Sequence, residues 1–265
     1  MIFATINSFL SNPLVQALLG AILGAFITTI QNKIRNYIRL KPFHLIWDNI
    51  FDDEENIYIA VSDIPLDKFP IFKQNSTSQL PNNVSLLGVQ EAVGLAELRQ
   101  AMKIAYPNKK IYPDISRDFN FYTSSFISVG GPSVNSTTYE ILINSKLKNQ
   151  IEIVYPEHYA IDKKNNVEYK PDLIRNEIKE DYGFIIVNRN PFNPNKTVCL
   201  FFGVWPQGTR AAIQTMIELN VKEKYVRQLT KLIKRKCPIL VIVKTKVVGL
   251  VQGTPEIVLL RELID

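Results

Sequence analysis

Seventeen consecutive residues, Leu14 to Ile30, carry no charge, and their only polar members are Gln16, Thr28 and Thr29. Extended in helical form from Asn7 to Asn32, such a stretch has the length and composition of one membrane span. A secretory signal peptide is the competing reading, but it requires a basic start and a small-residue cleavage site. Here residues 1–13 contain no Lys or Arg, and the basic cluster Lys33, Arg35, Arg39 and Lys41 comes after the apolar run. Counting positive charge as facing inward places the C-terminal side in the cytoplasm. The expectation is a single-pass membrane protein, partnered by the lipid bilayer, with its soluble part cytoplasmic. Small residues at Ala17, Gly20, Ala21, Gly24, Ala25 and Thr28 recur every three or four positions. Gly20 and Gly24 form a GxxxG pair that permits close helix approach, which predicts a homo-oligomer through this stretch. The plain alternative is that Gly and Ala are common in such helices.

The rest of the 265-residue chain has the size of one α/β unit. We divide it into an anchor and basic flank at 1–41, a connector at 42–56 and an α/β domain at 57–265. Cys199 and Cys237 are too few for a disulfide framework, and Cys199 sits in the apolar run 198–202 as an ordinary core thiol. The net charge of +6 is concentrated after the apolar stretch and in Lys222, Lys224, Arg227, Lys231, Lys234, Arg235 and Lys236. Neither cluster carries interleaved aromatics or a base-reading motif, so nucleic acid is not the expected partner. The four sequons, at Asn75, Asn83, Asn135 and Asn195, have no meaning for a cytoplasmic domain.

The run Ile57–Val61 is a β-prone first strand ending in Ser62-Asp63, followed by a Pro-, Asn- and Ser-rich loop over 63–84. Residues 88–106 present a broad apolar face and stop at Pro107, which predicts a helix. Strands follow near Ile111 and at 126–129, the latter feeding Gly130-Gly131-Pro132-Ser133-Val134-Asn135 and a helix from Ser136. Further strands are expected at 151–155, 184–187 and 198–202, with a hairpin around Asn165-Asn166. The last of these strands feeds Gly203–Thr209 and a helix over 210–219. A basic helix then precedes closing strands at 239–250 and 256–263. Alternating strands and helices predict a Rossmann-like, mostly parallel sheet with helices on both faces, preceded by one N-terminal transmembrane helix.

Both glycine loops stand at strand-to-helix junctions, where backbone amides and the helix dipole favour an anion and where open α/β sheets bind ligands. The expected ligand-binding residues are Ser62, Glu91, Gly130, Gly131, Pro132, Asn135, Gly203, Gly208, Thr209 and Arg210. Asn135 and Thr209 add side-chain bonds, Arg210 supplies charge to a phosphate, and Glu91 bonds a ribose hydroxyl or acts as a base. Neither loop matches GxGxxG or the P-loop, so neither names a nucleotide. The structural readings are turns that need glycine, and a first-turn carboxylate at Glu91 favoured by the helix dipole. His44 and His158 are the only histidines and lack metal-ligand spacing, so no metal or cofactor is expected.

The Gly-Gly-Pro-x-x-Asn loop at 130–135, paired with the Gly-Thr-x-Ala-Ala helix start at 208–212, resembles prokaryotic Rossmann-like ligand-sensing domains of the SLOG, CARF and TIR-like groups. The similarity covers about residues 55–220. It implies a membrane-tethered sensor of a nucleotide or nucleotide-derived signal, such as a defence or signalling effector. The chain departs from nucleotide-cleaving relatives in having no clear glutamate motif for catalysis, so binding rather than turnover is the leading expectation. A nucleoside or NAD glycosidase-like hydrolase using Glu91 or Asp63 is the enzymatic alternative, and a scaffold whose glycine loops are only turns is the third.

Overall fold

The computed structural model describes residues 13–51, 53–65, 85–120, 122–155, 158–175, 177–218 and 223–263. Outside them lie most of the loop expected at 63–84, with sequons Asn75 and Asn83. Residues 1–12 lie outside them as well. In the first helix the side chains of 14–20, 22 and 32–40 are likewise undescribed, and these include Gly20 and the cations Lys33, Arg35 and Arg39. The chain divides into two units, Met1–Pro42 and Phe43–Asp265.

The transmembrane expectation is overturned. Among the described residues no helix is long and apolar enough to cross a membrane. The apolar stretch is not a helix of its own: α1 runs unbroken over Pro13–Phe51, through the basic cluster and through Pro42. Its last turns belong to the α/β domain. Phe43, Ile46, Trp47, Ile50 and Phe51 are all buried in the main core cluster, with Trp47 and Phe51 stacked 5.9 Å apart. Residues 43–51, read from sequence as a connector, are therefore a structural helix. Their i, i+3, i+4 and i+7 apolar spacing is the physical reason. In the first unit, Leu23, Phe26, Ile27 and Ile30 are exposed, and a methyl group at Gly24 would meet nothing within 4 Å.

The second unit is built on one sheet. Its strands are β1 (Asn56–Val61), β4 (Lys110–Ile115), β5 (Phe126–Val129), β10 (Glu177–Asn190), β11 (Asn193–Gly203), β12 (Ile239–Val248) and β14 (Glu256–Glu262). Short strands β9 (Asp172–Ile174) and β13 (Val251–Gln252) pair with β10 and β12. Outside this sheet, β2 (Ile64–Pro65) pairs with β3 (Ser85–Leu86), and β6 (Ile151–Val154), β7 (Tyr159–Asp162) and β8 (Val167–Tyr169) form a meander. Besides the last turns of α1, the α-helices among the described residues of this unit are α2 (Val89–Ala105), α3 (Ser136–Ile143), α4 (Pro206–Glu218) and α5 (Glu223–Lys234).

The sheet is mixed, which corrects the mostly parallel expectation. Strands β4, β1, β5 and β11 run parallel, whereas β10, β12 and β14 join by antiparallel pairing. The cause is the connection between β10 and β11. Only Pro191 and Phe192 separate the two strands, too short for a crossover, so they must form a hairpin. Helices do cover both faces. Ile57, Ile59, Ile127, Val129, Cys199 and Phe201 pack with α1, α2, α4 and α5, while the alternate residues Ala60, Phe126, Val198, Leu200 and Phe202 pack with α3 and the meander. This period-two division, apolar on both sides, marks a central sheet buried on both faces.

The chain leaves β1 through α2 to β4 on one side and returns to β5 on the other. That reversal opens a crevice beyond the carboxyl ends of β1 and β5, next to the end of β11.

Candidate functional site

The crevice is floored by the ends of three parallel strands. Ser62 follows β1, Gly130 follows β5, and Gly203 ends β11. Gly130 has φ +111°, a conformation open to glycine, and a methyl group there would fall 1.7 Å from Ser62 Oγ. Its backbone N–H donates to the Phe201 carbonyl. The glycine thus lets the loop turn directly over the Ser62 side chain.

Glu91 enters from α2. Gly88 is the residue before the helix, and Glu91, three residues on, reaches back to the Gly88 amide in the manner of a capping box. Glu91 is only 4% exposed. Thr209 of α4 places Oγ1 3.5 Å from Glu91 Oε1, and Ser62 faces the same carboxyl. Burial raises the Glu91 pKa above the ordinary carboxylate range, with the Ser62 and Thr209 hydroxyls and the Gly88 amide pulling the other way. A carboxyl buried this deeply, with no cation in contact among the described residues, is unusual for a purely structural acid.

An aromatic wall stands beside it. Tyr155, after β6, directs its hydroxyl to within 3.3 Å of where a methyl at Gly131 would lie. Burial raises the Tyr155 pKa, the Ser133 hydroxyl opposes this, and the negative charge of Glu91 adds to the rise. His158, at φ 52°, brings its ring 4.4 Å from that of Trp205 at 31°, and Tyr155 meets His158 edge-on at 5.5 Å. The Trp205 indole Nε1 is buried and has no hydrogen-bond partner among the described residues. The meander supplies Tyr155 and His158, and the β11–α4 loop supplies Trp205.

Of the sequence-derived residues, the fold brings Ser62, Glu91, Gly130, Gly131 and Thr209 to one crevice, and Pro132, half-buried, follows Gly131 in the loop. It gives the others different work. Asn135 is buried and caps α3: its Oδ1 accepts from the Thr138 N–H, and its Nδ2 donates to the carbonyls of Val129 and Ala60. Gly203 and Gly208 serve backbone packing. A methyl at Gly208 would fall 2.1 Å from the Tyr182 carbonyl oxygen, and one at Gly203 2.3 Å from that of Trp205. Arg210 forms a two-point ion pair with Glu97, at 2.6 and 3.2 Å, and donates to Gln90, tying α4 to α2. Asp63 is held by Arg117 at 2.9 Å.

The amino end of α4 is already occupied by one of the protein's own carboxyl groups. Asp181 of β10, fully buried, accepts from the N–H groups of Gly208, Trp205 and Tyr182. Burial pushes its pKa up to about 8 against the pull of those three amides. Sequence reasoning missed Asp181, Tyr155, His158, Ser133 and the role of Trp205. Trp205 stood inside the quoted loop as an aromatic at a glycine turn, the one signal that could have found it. Asp181 lies 27 positions from Gly208, and nothing local ties them.

No family model, curated protein or solved structure gives a significant match to the chain. Among the described residues no group of His, Cys, Asp or Glu could hold a metal ion.

Proposed function

We propose that the α/β domain binds a nucleotide or nucleotide-derived signal in the crevice at the ends of β1, β5 and β11, with the nucleoside portion innermost. The observation that carries this reading is Glu91: a buried carboxyl between two hydroxyls and near Tyr155, whose ring meets the His158–Trp205 pair. A carboxyl so placed accepts sugar or base donors, and the aromatic wall offers a stacking face and an indole N–H. The electrostatics argue against deep burial of phosphate. The α4 amides are taken by Asp181, the Arg210 charge is spent on Glu97, and Glu91 would repel an anion whenever it is ionised. Phosphate groups would therefore sit at the mouth, toward Ser133.

The test is a thermal-shift panel on the full chain with nucleosides, nucleoside monophosphates, dinucleotides and cyclic oligonucleotides, with inorganic phosphate as control. The reading expects at least one nucleoside-bearing ligand to raise Tm and inorganic phosphate to leave it unchanged. If no compound of the panel shifts Tm, the reading falls.

A second reading, N-glycoside hydrolysis in the same crevice, is favoured by the burial of Glu91, which raises its pKa in the direction that suits a proton-transferring group. Incubation with NAD and nucleosides separates the two: product release abolished in Glu91→Gln, with binding kept, supports turnover, and intact substrate after prolonged incubation refutes it.

A further inference from the structure

At the opposite end of the sheet the fold builds a second polar concavity, of about 610 Å³. Strand β10 runs antiparallel to β11, so its last residues, Asn188 to Asn190, lie far from the crevice and beside the start of β12. The pairing register slips between Arg189 and Asn190. The unmatched residues, 194–196, belong to β11. Asn190, fully buried, anchors the end of β10 by donating to the carbonyls of Tyr122 and Ser124. Arg189, one residue earlier and exposed, lines the concavity from one wall.

Arg235 and Lys236 line the other. The last turn of α5 is closed by N–H donation from Lys236 to Ile233 and from Cys237 to Leu232, with Lys236 at φ 53°. This left-handed ending throws the two cations past the helix onto the same groove. Among the described residues none of the three cations is in an ion pair. Among the described residues that line the groove the one carboxylate is Glu262, which is engaged by the Cys237 thiol. Complementing the negative end of α5 would explain Arg235 and Lys236. It does not explain Arg189, which comes from a strand.

We propose that this groove is an anion site, separate from the crevice, that takes a ligand bearing two or more phosphate groups. Three unpaired cations on two rigid walls match several phosphates better than one, and the volume suits a small molecule. The site does not depend on the nucleoside reading above. Calorimetric titration of the full chain with sodium tripolyphosphate tests it. The expected result is saturable binding that weakens as salt is raised. It falls at least about tenfold in the Arg189→Ala, Arg235→Ala, Lys236→Ala triple variant and is unchanged by Glu91→Gln. A single Arg189→Glu variant, at an exposed position, repeats the test with least disturbance and should reduce affinity as well. No heat with tripolyphosphate, equal affinity in the triple variant, or loss of binding in Glu91→Gln would each overturn the proposal. So would binding confined to long single-stranded nucleic acid.

Discussion

The two glycine loops, Gly130–Asn135 and Gly203–Arg210, are alike in sequence and opposite in use. Each follows a parallel strand and opens a helix. In the first, glycine clears room over Ser62, beside Glu91 and Tyr155, and the helix start is capped by the loop's own Asn135. In the second, glycine lets two backbones meet, and the anion position at the helix end is filled by Asp181. A glycine turn at a strand end thus indicates close approach. Whether a ligand or the protein's own backbone makes that approach depends on what the neighbouring strand presents.

The largest effects should come from breaking the second loop. Gly208→Ala drives a methyl into the Tyr182 carbonyl, and backbone cannot yield as a flexible side chain can. We expect a loss of about 3 kcal/mol or more in denaturant unfolding. Gly131→Ala meets nothing closer than the Tyr155 hydroxyl at 3.3 Å and the Gly203 carbonyl oxygen at 3.8 Å, so it should cost under about 1 kcal/mol. It should nonetheless weaken ligand binding, because it fills the crevice. Equal destabilisation by the two substitutions would erase the contrast.

Next in size is the pH dependence set by the buried acids. Asp181 keeps its proton up to about pH 8 in the folded chain, and unfolded it releases that proton near pH 4. The folded state therefore binds more protons across that window, and stability falls as pH rises through it. Glu91, also raised, adds in the same direction. Thermal melts from pH 5 to 8 should show a declining Tm, with a shallower decline in Asp181→Asn.

A smaller effect sharpens the roles of the charged pair at the helix starts. Arg210→Ala should cost about 1 kcal/mol, since its pair with Glu97 is only partly buried, and should leave ligand affinity within about twofold. Glu91→Gln should do the reverse. It removes a costly buried acid, so stability holds or rises slightly, while affinity drops about tenfold.

Much of this was legible along the chain. The apolar spacing of α2, the strand–glycine–helix order around Gly130 and Gly203, and the convergence of Ser62 with Glu91 all follow from local pattern and sheet topology. What was not legible depended on pairing across distance. A charge-free run looks the same whether it ends at its basic flank or continues into a core helix, and only Trp47 and Phe51 packing under the sheet distinguishes the two. The β10–β11 hairpin turned on two residues, Pro191 and Phe192, inside a stretch whose Asn and Pro content suggested a longer loop. Arg210 beside a glycine loop reads as a phosphate ligand until Glu97, 113 positions earlier, is found to hold it.

The central claim is that the first loop and Glu91, rather than the second loop and Arg210, form the ligand site. Calorimetry of the full chain with the best ligand of the nucleoside panel, comparing Glu91→Gln with Arg210→Ala, tests it most directly. The account predicts that binding collapses in Glu91→Gln and survives in Arg210→Ala. Binding that survives in Glu91→Gln and is lost in Arg210→Ala would contradict it.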